Sequence, residues 1–253
     1  MTAFQQRLDD YCRQHDGELH FLASAPPASL DDLLARLGDL PRGEQSAVVR
    51  FIAQTKHRTA VPALLKFLPH ASANLAEEMA QVIATQGGEQ AGPILLDILS
   101  ATDLPVGVRR AVVYALVWLF DPRAIPTLLD CCRDQDEDPV IRTTAAEGLM
   151  YLARDLEPEC AERHETEQVF LAGLTDPQVE VRYWSVYAVG GMGVNSALSL
   201  LAQLAQQDVG YDTTHDCWIR DEAAEAIRIL NPSGQTLAGL KLTKPDSTQA
   251  KIA

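Results

Sequence analysis

Val108–Leu119 reads VRRAVVYALVWL, and three later stretches repeat its pattern in register. They are IRTTAAEGLMYL (Ile141–Leu152), VRYWSVYAVGGM (Val181–Met192) and IRDEAAEAIRIL (Ile219–Leu230). Counting each first residue as position 0, apolar or small residues recur at 0, 4, 5, 8 and 11, the spacing of one stripe along an α-helix. Position 1 is arginine each time (Arg109, Arg142, Arg182, Arg220), and position 7 is small (Ala115, Gly148, Ala188, Ala226). A small residue there lets a neighbouring helix come close. The starts are 33, 40 and 38 residues apart, so the chain is an array of similar helical units.

Between the copies lie partner helices with stripes of their own. DPRAIPTLLDCCRD starts at Asp121, TEQVFLAGLTD at Thr166 and SALSLLAQLAQQ at Ser196. Asp-Pro pairs at 121–122, 138–139 and 176–177 mark helix starts, because proline suits the first turn and aspartate caps it. A fainter copy, LAEEMAQVIATQ, begins at Leu75 with Ala76 in the arginine slot, and residues 44–55 fit loosely. No useful β-alternation appears.

Paired helices of this length with D-P-x-V-x-V-R-x-x-A-like second members resemble HEAT repeats, and more narrowly the HEAT-like repeats of phycobilin lyases. The resemblance covers about residues 42–231 and departs from the pattern in two insertions, near 155–165 and 208–217. It implies an all-α, right-handed α-solenoid of paired antiparallel helices, of the HEAT-like or armadillo type. The expected organisation is an N-terminal helical cap over 1–41, the solenoid over 42–231 and a mobile tail over 232–253. Leu237, Leu240 and Leu242 could dock that tail on the body. In the cap, helices are expected near Ala3–His15 and Leu30–Leu37, the second started by Ser29 with Asp31 and Asp32 in its first turn. The position-1 arginines resemble struts between repeats.

Composition bounds the function. Of 253 residues, 35 are acidic and 21 are lysine or arginine, a net charge of −14. Such a surface repels nucleic acid and anionic lipid and steers toward cationic partners. The acid excess is sharpest in 156–180, with seven acids against Arg163. The longest apolar run, Ala111–Phe120, is half a membrane span, and the acidic start MTAFQQRLDDYC lacks the form of a signal peptide. Five cysteines with no CxxC pair argue against a disulfide framework or zinc ribbon. The expectation is a cytoplasmic, bacterial protein with neither a nucleic-acid nor a membrane partner.

Candidate chemistry is sparse. His164-Glu165 is a single His-Glu pair, whereas deoxyhypusine hydroxylase, a di-iron HEAT-repeat enzyme, uses several; this one reads as solvated loop. Asp212, His215, Asp216 and Cys217 fall within six residues but mix hard and soft donors at no zinc spacing, so 208–217 reads as an interaction loop. No Ser-His-Asp or Cys-His spacing occurs, and Gly190-Gly191-Met192-Gly193 ends a helix. DNA glycosylases of HEAT-like fold need a cationic groove, and Glu147, Asp221, Glu222 and Glu225 oppose one.

Positions 2, 3, 6 and 10 share the face that lines the inner surface of HEAT-like solenoids. Six of the fifteen aromatic residues fall there: Tyr114, Trp118, Tyr151, Tyr183, Trp184 and Tyr187. Tyrosine and tryptophan are the anchors most enriched at interfaces, although some could fill gaps between helices or lie under the insertions. With Glu147 these six form the expected partner-binding set. The expectation is therefore a non-catalytic scaffold, an adaptor or an immunity or inhibitor protein, with no cofactor, metal or catalytic residue and a basic protein as partner. The resemblance also implies an alternative, a phycobilin lyase-like or other chromophore-handling enzyme.

Overall fold

Each of the four arginine-bearing stretches lies mainly within one helix of the computed structural model, which describes residues 2–15, 27–100, 103–154 and 156–233. From 234 onward the expected tail, with Leu237, Leu240 and Leu242, lies outside the described residues. In chain order the helices are α1 (Ala3–Gln14), α2 (Leu30–Ala35), α3 (Arg42–Thr55), α4 (Val61–Phe67), α5 (Ala73–Gln86), α6 (Ala91–Leu99) and α7 (Val106–Trp118). There follow α8 (Ile125–Arg133), α9 (Pro139–Ala153), α10 (Ala161–Gly173), α11 (Val179–Gly191), α12 (Leu198–Gln207) and α13 (Ile219–Leu230). Among the described residues the only strands are β1 (Tyr211–Asp212) and β2 (Cys217–Trp218), an antiparallel pair inside the second insertion. The fold is all-α, as the repeat dictates.

Two compact units divide the chain, Met1–Thr127 and Leu128–Ala253, with the division falling inside α8. In the first unit α3, α5 and α7 stack in sequence, with α4 and α6 laid against them. Phe4 and Tyr11 of α1 put their rings on Phe51 of α3, at 6.1 and 5.4 Å. His57 joins this cluster, 5.9 Å from Phe51. Burial, aided by the charge of Arg7, lowers its pKa, so it stays a neutral ring. The α2 start is as expected: Ser29 Oγ accepts from the Asp32 backbone N–H at 3.2 Å.

The second unit repeats the arrangement, with α9, α11 and α13 stacked and α10 and α12 against them. The stripe explains the stacking. Ile141, Ala145, Ala146 and Leu149 of α9 and Val181, Ser185, Val186 and Val189 of α11 are all buried. Position 7 is buried in all four copies. Gly190 allows still closer approach, since a Cβ there would sit 3.1 Å from the Ala226 Cβ of α13.

The Asp-Pro turns do more than start helices. Asp138 Oδ1 accepts from the Val140 N–H at 2.9 Å, capping α9. Asp176 Oδ1 accepts from the Gln178 N–H at 2.9 Å, while its Oδ2 accepts from the Arg142 guanidinium. Arg109 donates to the Leu99 carbonyl at 3.2 Å. Arg182 donates to Asp208 Oδ2 and to the Asp176 carbonyl, both at 2.8 Å. Three of the four position-1 arginines thus bridge separate elements. Arg220 instead lies over the Trp218 ring at 4.8 Å.

One expectation is corrected. The stretch 155–165 is not simply an insertion, because α10 begins at Ala161 rather than Thr166. The Cys160 sulfur caps it by accepting from the Arg163 N–H at 3.3 Å. Buried Arg163 then donates to the carbonyls of Ala153 and Met192, at 3.0 and 2.7 Å, tying together the ends of α9 and α11. His164 and Glu165 therefore sit on a helix, not in a loop, and Glu165 pairs with Arg133 at 2.7 Å.

Candidate functional site

The root of the second insertion is set by the same arginine rule. Asp208 accepts from Arg182 of α11, and its Oδ1 also takes the Gly210 N–H at 2.6 Å. The chain then runs through β1, turns, and returns as β2 into α13. Fully buried Asp212 organises the turn: its Oδ1 accepts from the N–H groups of Thr214 and His215, at 2.8 and 3.0 Å. Its Oδ2 lies 3.2 Å from His215 Nδ1. A buried carboxylate thus fixes the orientation of the imidazole through its Nδ1.

That imidazole lies flat on Tyr183, with centroids 4.0 Å apart and planes 12° from parallel. It also meets Trp184 edge to face at 5.1 Å. Tyr183 and Trp184 are consequently buried, at 9% and 7% exposure, whereas Tyr187 one turn along α11 is 46% exposed. Tyr187 is 6.0 Å from Trp184 and 6.3 Å from Tyr183. Tyr151 of α9 packs on Trp184 at 6.2 Å. Five aromatic or imidazole rings from α9, α11 and the hairpin therefore make one cluster, of which Tyr187 is the exposed member.

Two carboxyls border it, Glu147 on α9 and Glu222 on α13, both half-buried. Burial raises the pKa of each, and in each case the His215 charge works in the opposite direction. Glu225 pushes Glu222 further up. Burial, then Glu222, lift the Tyr183 phenol to about 12, and the Cys217 thiol rises to about 11 for the same reasons in the same order. Tyr151 is also raised, by burial and then by Glu147. Neither Glu147 nor Glu222 makes an ion pair among the described residues. The site therefore combines reluctant carboxylates, an oriented imidazole and aromatic surface. Such groups accept a cation or move a proton.

The sequence set is thus divided by the structure. Glu147, Tyr151, Tyr183, Trp184 and Tyr187 come together in the second unit. Tyr114 and Trp118 belong to the first, 6.1 Å apart on α7 and both half-buried, with the exposed Phe120 ring 5.9 Å from Trp118. Asp212, His215 and Glu222 were not in the set. The D-x-x-H spacing at 212–215 was the available signal, since an aspartate three residues before a histidine suits a turn that closes on its own side chain. Among the described residues no group of three or more His, Cys, Asp or Glu could hold a metal ion. No described helix is long and apolar enough to cross a membrane.

Stacked helix pairs define a helical-repeat protein, and its second unit carries an aromatic cluster whose exposed member is Tyr187. The family model of HEAT repeats matches residues 64–150. No curated protein matches the chain. Among solved structures, the chain is similar to one from the complex of CpcE and CpcF of phycocyanin lyase from Nostoc sp. PCC7120. That match has 24% identity and a TM-score of 0.51, and covers 66% of this chain and 98% of that one. It places the fold among HEAT-like helical solenoids. Human deoxyhypusine hydroxylase in complex with glycerol is matched at 17% identity and a TM-score of 0.38, over 79% of this chain and 85% of that one. The Nostoc match corrects the expectation that the chain catalyses nothing. A fold that serves in a lyase gives no ground for excluding chemistry, and the absence of a familiar triad is no substitute for one.

Proposed function

We propose that this HEAT-repeat protein binds a basic partner protein through the aromatic-acidic face of its second unit. The observation that carries the reading is Tyr187, a large ring 46% exposed on a helix whose neighbouring rings are buried. An exposed aromatic backed by a rigid aromatic cluster loses little entropy on binding, which is how interface anchors work. The charge of −14 supports a basic partner. The Nostoc protein of this fold is itself found in a complex with a second chain. Chemistry on a bound partner is compatible with this reading, because the His215 ring packs on Tyr183 and Trp184, the rings beside Tyr187.

The test is Tyr187→Ala. Proteins captured by the wild-type chain from a source extract are compared with those captured by the variant, and the affinity of the retained partner is measured for both. Loss of about 2 kcal/mol or more in affinity, with thermal stability little changed, supports the site. Unaltered affinity removes it.

A further inference from the structure

The 208–217 hairpin is bonded to the body at its root. There Asp208 pairs with Arg182 of α11 at 2.8 Å, and the Ile219 N–H donates to the Gly210 carbonyl at 3.0 Å, pinning the two ends of the insertion together. Beyond the root, among the described residues, the side-chain hydrogen bonds of 211–217 all close within the hairpin. Asp212 Oδ1 takes the Thr214 and His215 N–H groups, Asp212 Oδ2 meets His215 Nδ1, and the Tyr211 hydroxyl donates to Asp216. The strands pair Tyr211 with Trp218 and Asp212 with Cys217. The tip is held against α11 by packing instead, with the His215 ring 4.0 Å from Tyr183 and 5.1 Å from Trp184. Each such ring pair shifts an equilibrium by only about two- to tenfold. Against them stands fully buried Asp212, whose carboxylate would regain water if the tip lifted, and burying charge is costly. The outer side of the hairpin is open, with Val209 81% and Tyr211 37% exposed.

We infer that this hairpin is a lid over Tyr183 and Trp184. It swings as a rigid unit about its root, at Asp208–Gly210 and Trp218–Ile219, and carries the Asp212–His215 turn with it intact. Lifting breaks two ring contacts and no hydrogen bond within the turn. It uncovers Tyr183 and Trp184, which already touch Tyr187 at 6.3 and 6.0 Å. Closed, α11 offers one exposed ring; open, it offers a continuous surface of three. The inference rests on the reading that the Tyr187 face meets a partner protein, and it adds how that face is regulated. A partner that uses all three rings binds only the open form, so its apparent affinity is scaled by the fraction of molecules whose lid is lifted.

The experiment needs no partner. On the full chain, NMR relaxation dispersion is measured at the Trp184 indole N–H and at the Tyr183 and His215 rings, and hydrogen exchange at the Thr214 and His215 amides. His215→Ala supplies the reference for uncovered rings, and His215→Ser is measured beside it in case the first variant does not fold. The expected result is one process shared by the three rings on the microsecond-to-millisecond scale of lids. Its minor state, about 1–10% of molecules, should have the Trp184 shift of the ring-less variants. The Thr214 and His215 amides should be protected about tenfold or more beyond what that opening allows, because Asp212 keeps them bonded in the lifted hairpin. Flat dispersion at Trp184 and Tyr183 overturns the inference. So does amide exchange at Thr214 that matches the opening of the rings, since the turn would then unfold rather than lift. The wider reading fails separately. Affinity unaltered in Tyr187→Ala removes the face while the ring dynamics stand, and a fixed hairpin with affinity lost in Tyr187→Ala leaves the face resting on Tyr187 alone.

Discussion

Arg142 and Asp176 bury a full charge pair, each side chain about 4% exposed, and Arg142 Nε has no acceptor. A strut judged from the sequence is worth roughly 1–3 kcal/mol. Burial of both partners raises the cost of breaking it, because the survivor keeps its charge without compensation. Arg142→Ala is therefore expected to cost about 3–5 kcal/mol in urea unfolding, and a loss below about 1 kcal/mol would mean that the pair is solvated. Glu147 behaves in the opposite way. Its pKa is raised in the folded chain, so the folded state binds its proton more tightly than the unfolded state does. That stabilisation is complete below the ordinary glutamate range and disappears as pH rises through the raised value. Glu147→Gln should thus raise the melting temperature at neutral pH, with the gain shrinking as pH falls toward about 4. A gain independent of pH would place the effect elsewhere. The four arginines were legible by their register, but the depth at which Arg142 lies was not, since exposure belongs to the neighbours.

The 208–217 hairpin shows where reading one element at a time fails. Its sequence is polar, with the exposed Val209 and Tyr211, and reads as a loop for an external partner. In the folded chain its histidine covers Tyr183 and Trp184. Replacing it uncovers them: His215→Ala should red-shift tryptophan emission and cost about 1 kcal/mol of stability, the scale of one aromatic pair. Unshifted emission would show that the hairpin does not seal the rings. Helix α10 offers a second element-scale test. Gly173 faces Ser185 of α11 so closely that a Cβ would collide with the hydroxyl. Alanine is the better helix former by about 1 kcal/mol. Gly173→Ala should nevertheless destabilise, because overpacking costs roughly 1–3 kcal/mol. A stabilised variant would mean that the two helices separate freely.

At the scale of the whole molecule, the charge of −14 acts beyond any one contact. Association with a basic partner should slow as ionic strength rises from about 0.05 to 0.5 M, since the Debye length shrinks from about 14 to 4 Å, while dissociation changes less. A salt-independent association rate, measured by surface plasmon resonance or stopped flow, would remove electrostatic steering and with it the basic partner.

The sequence by itself determined the helical class, the pairing of helices, the register of the four arginines, the Asp138-Pro139 helix start and the spacing of the aromatic residues along their helices. All of these follow from periodicity and local backbone chemistry, which act over a few residues and are written in residue spacing. Only the tertiary structure decided which of those aromatics stay open. Tyr183, Trp184 and Tyr187 occupy neighbouring positions on one helix and look alike in sequence. Their fates differ because His215, some thirty residues later, is turned onto two of them by a buried carboxylate. Long-range contact, not local pattern, leaves Tyr187 open while His215 of the hairpin covers Tyr183 and Trp184.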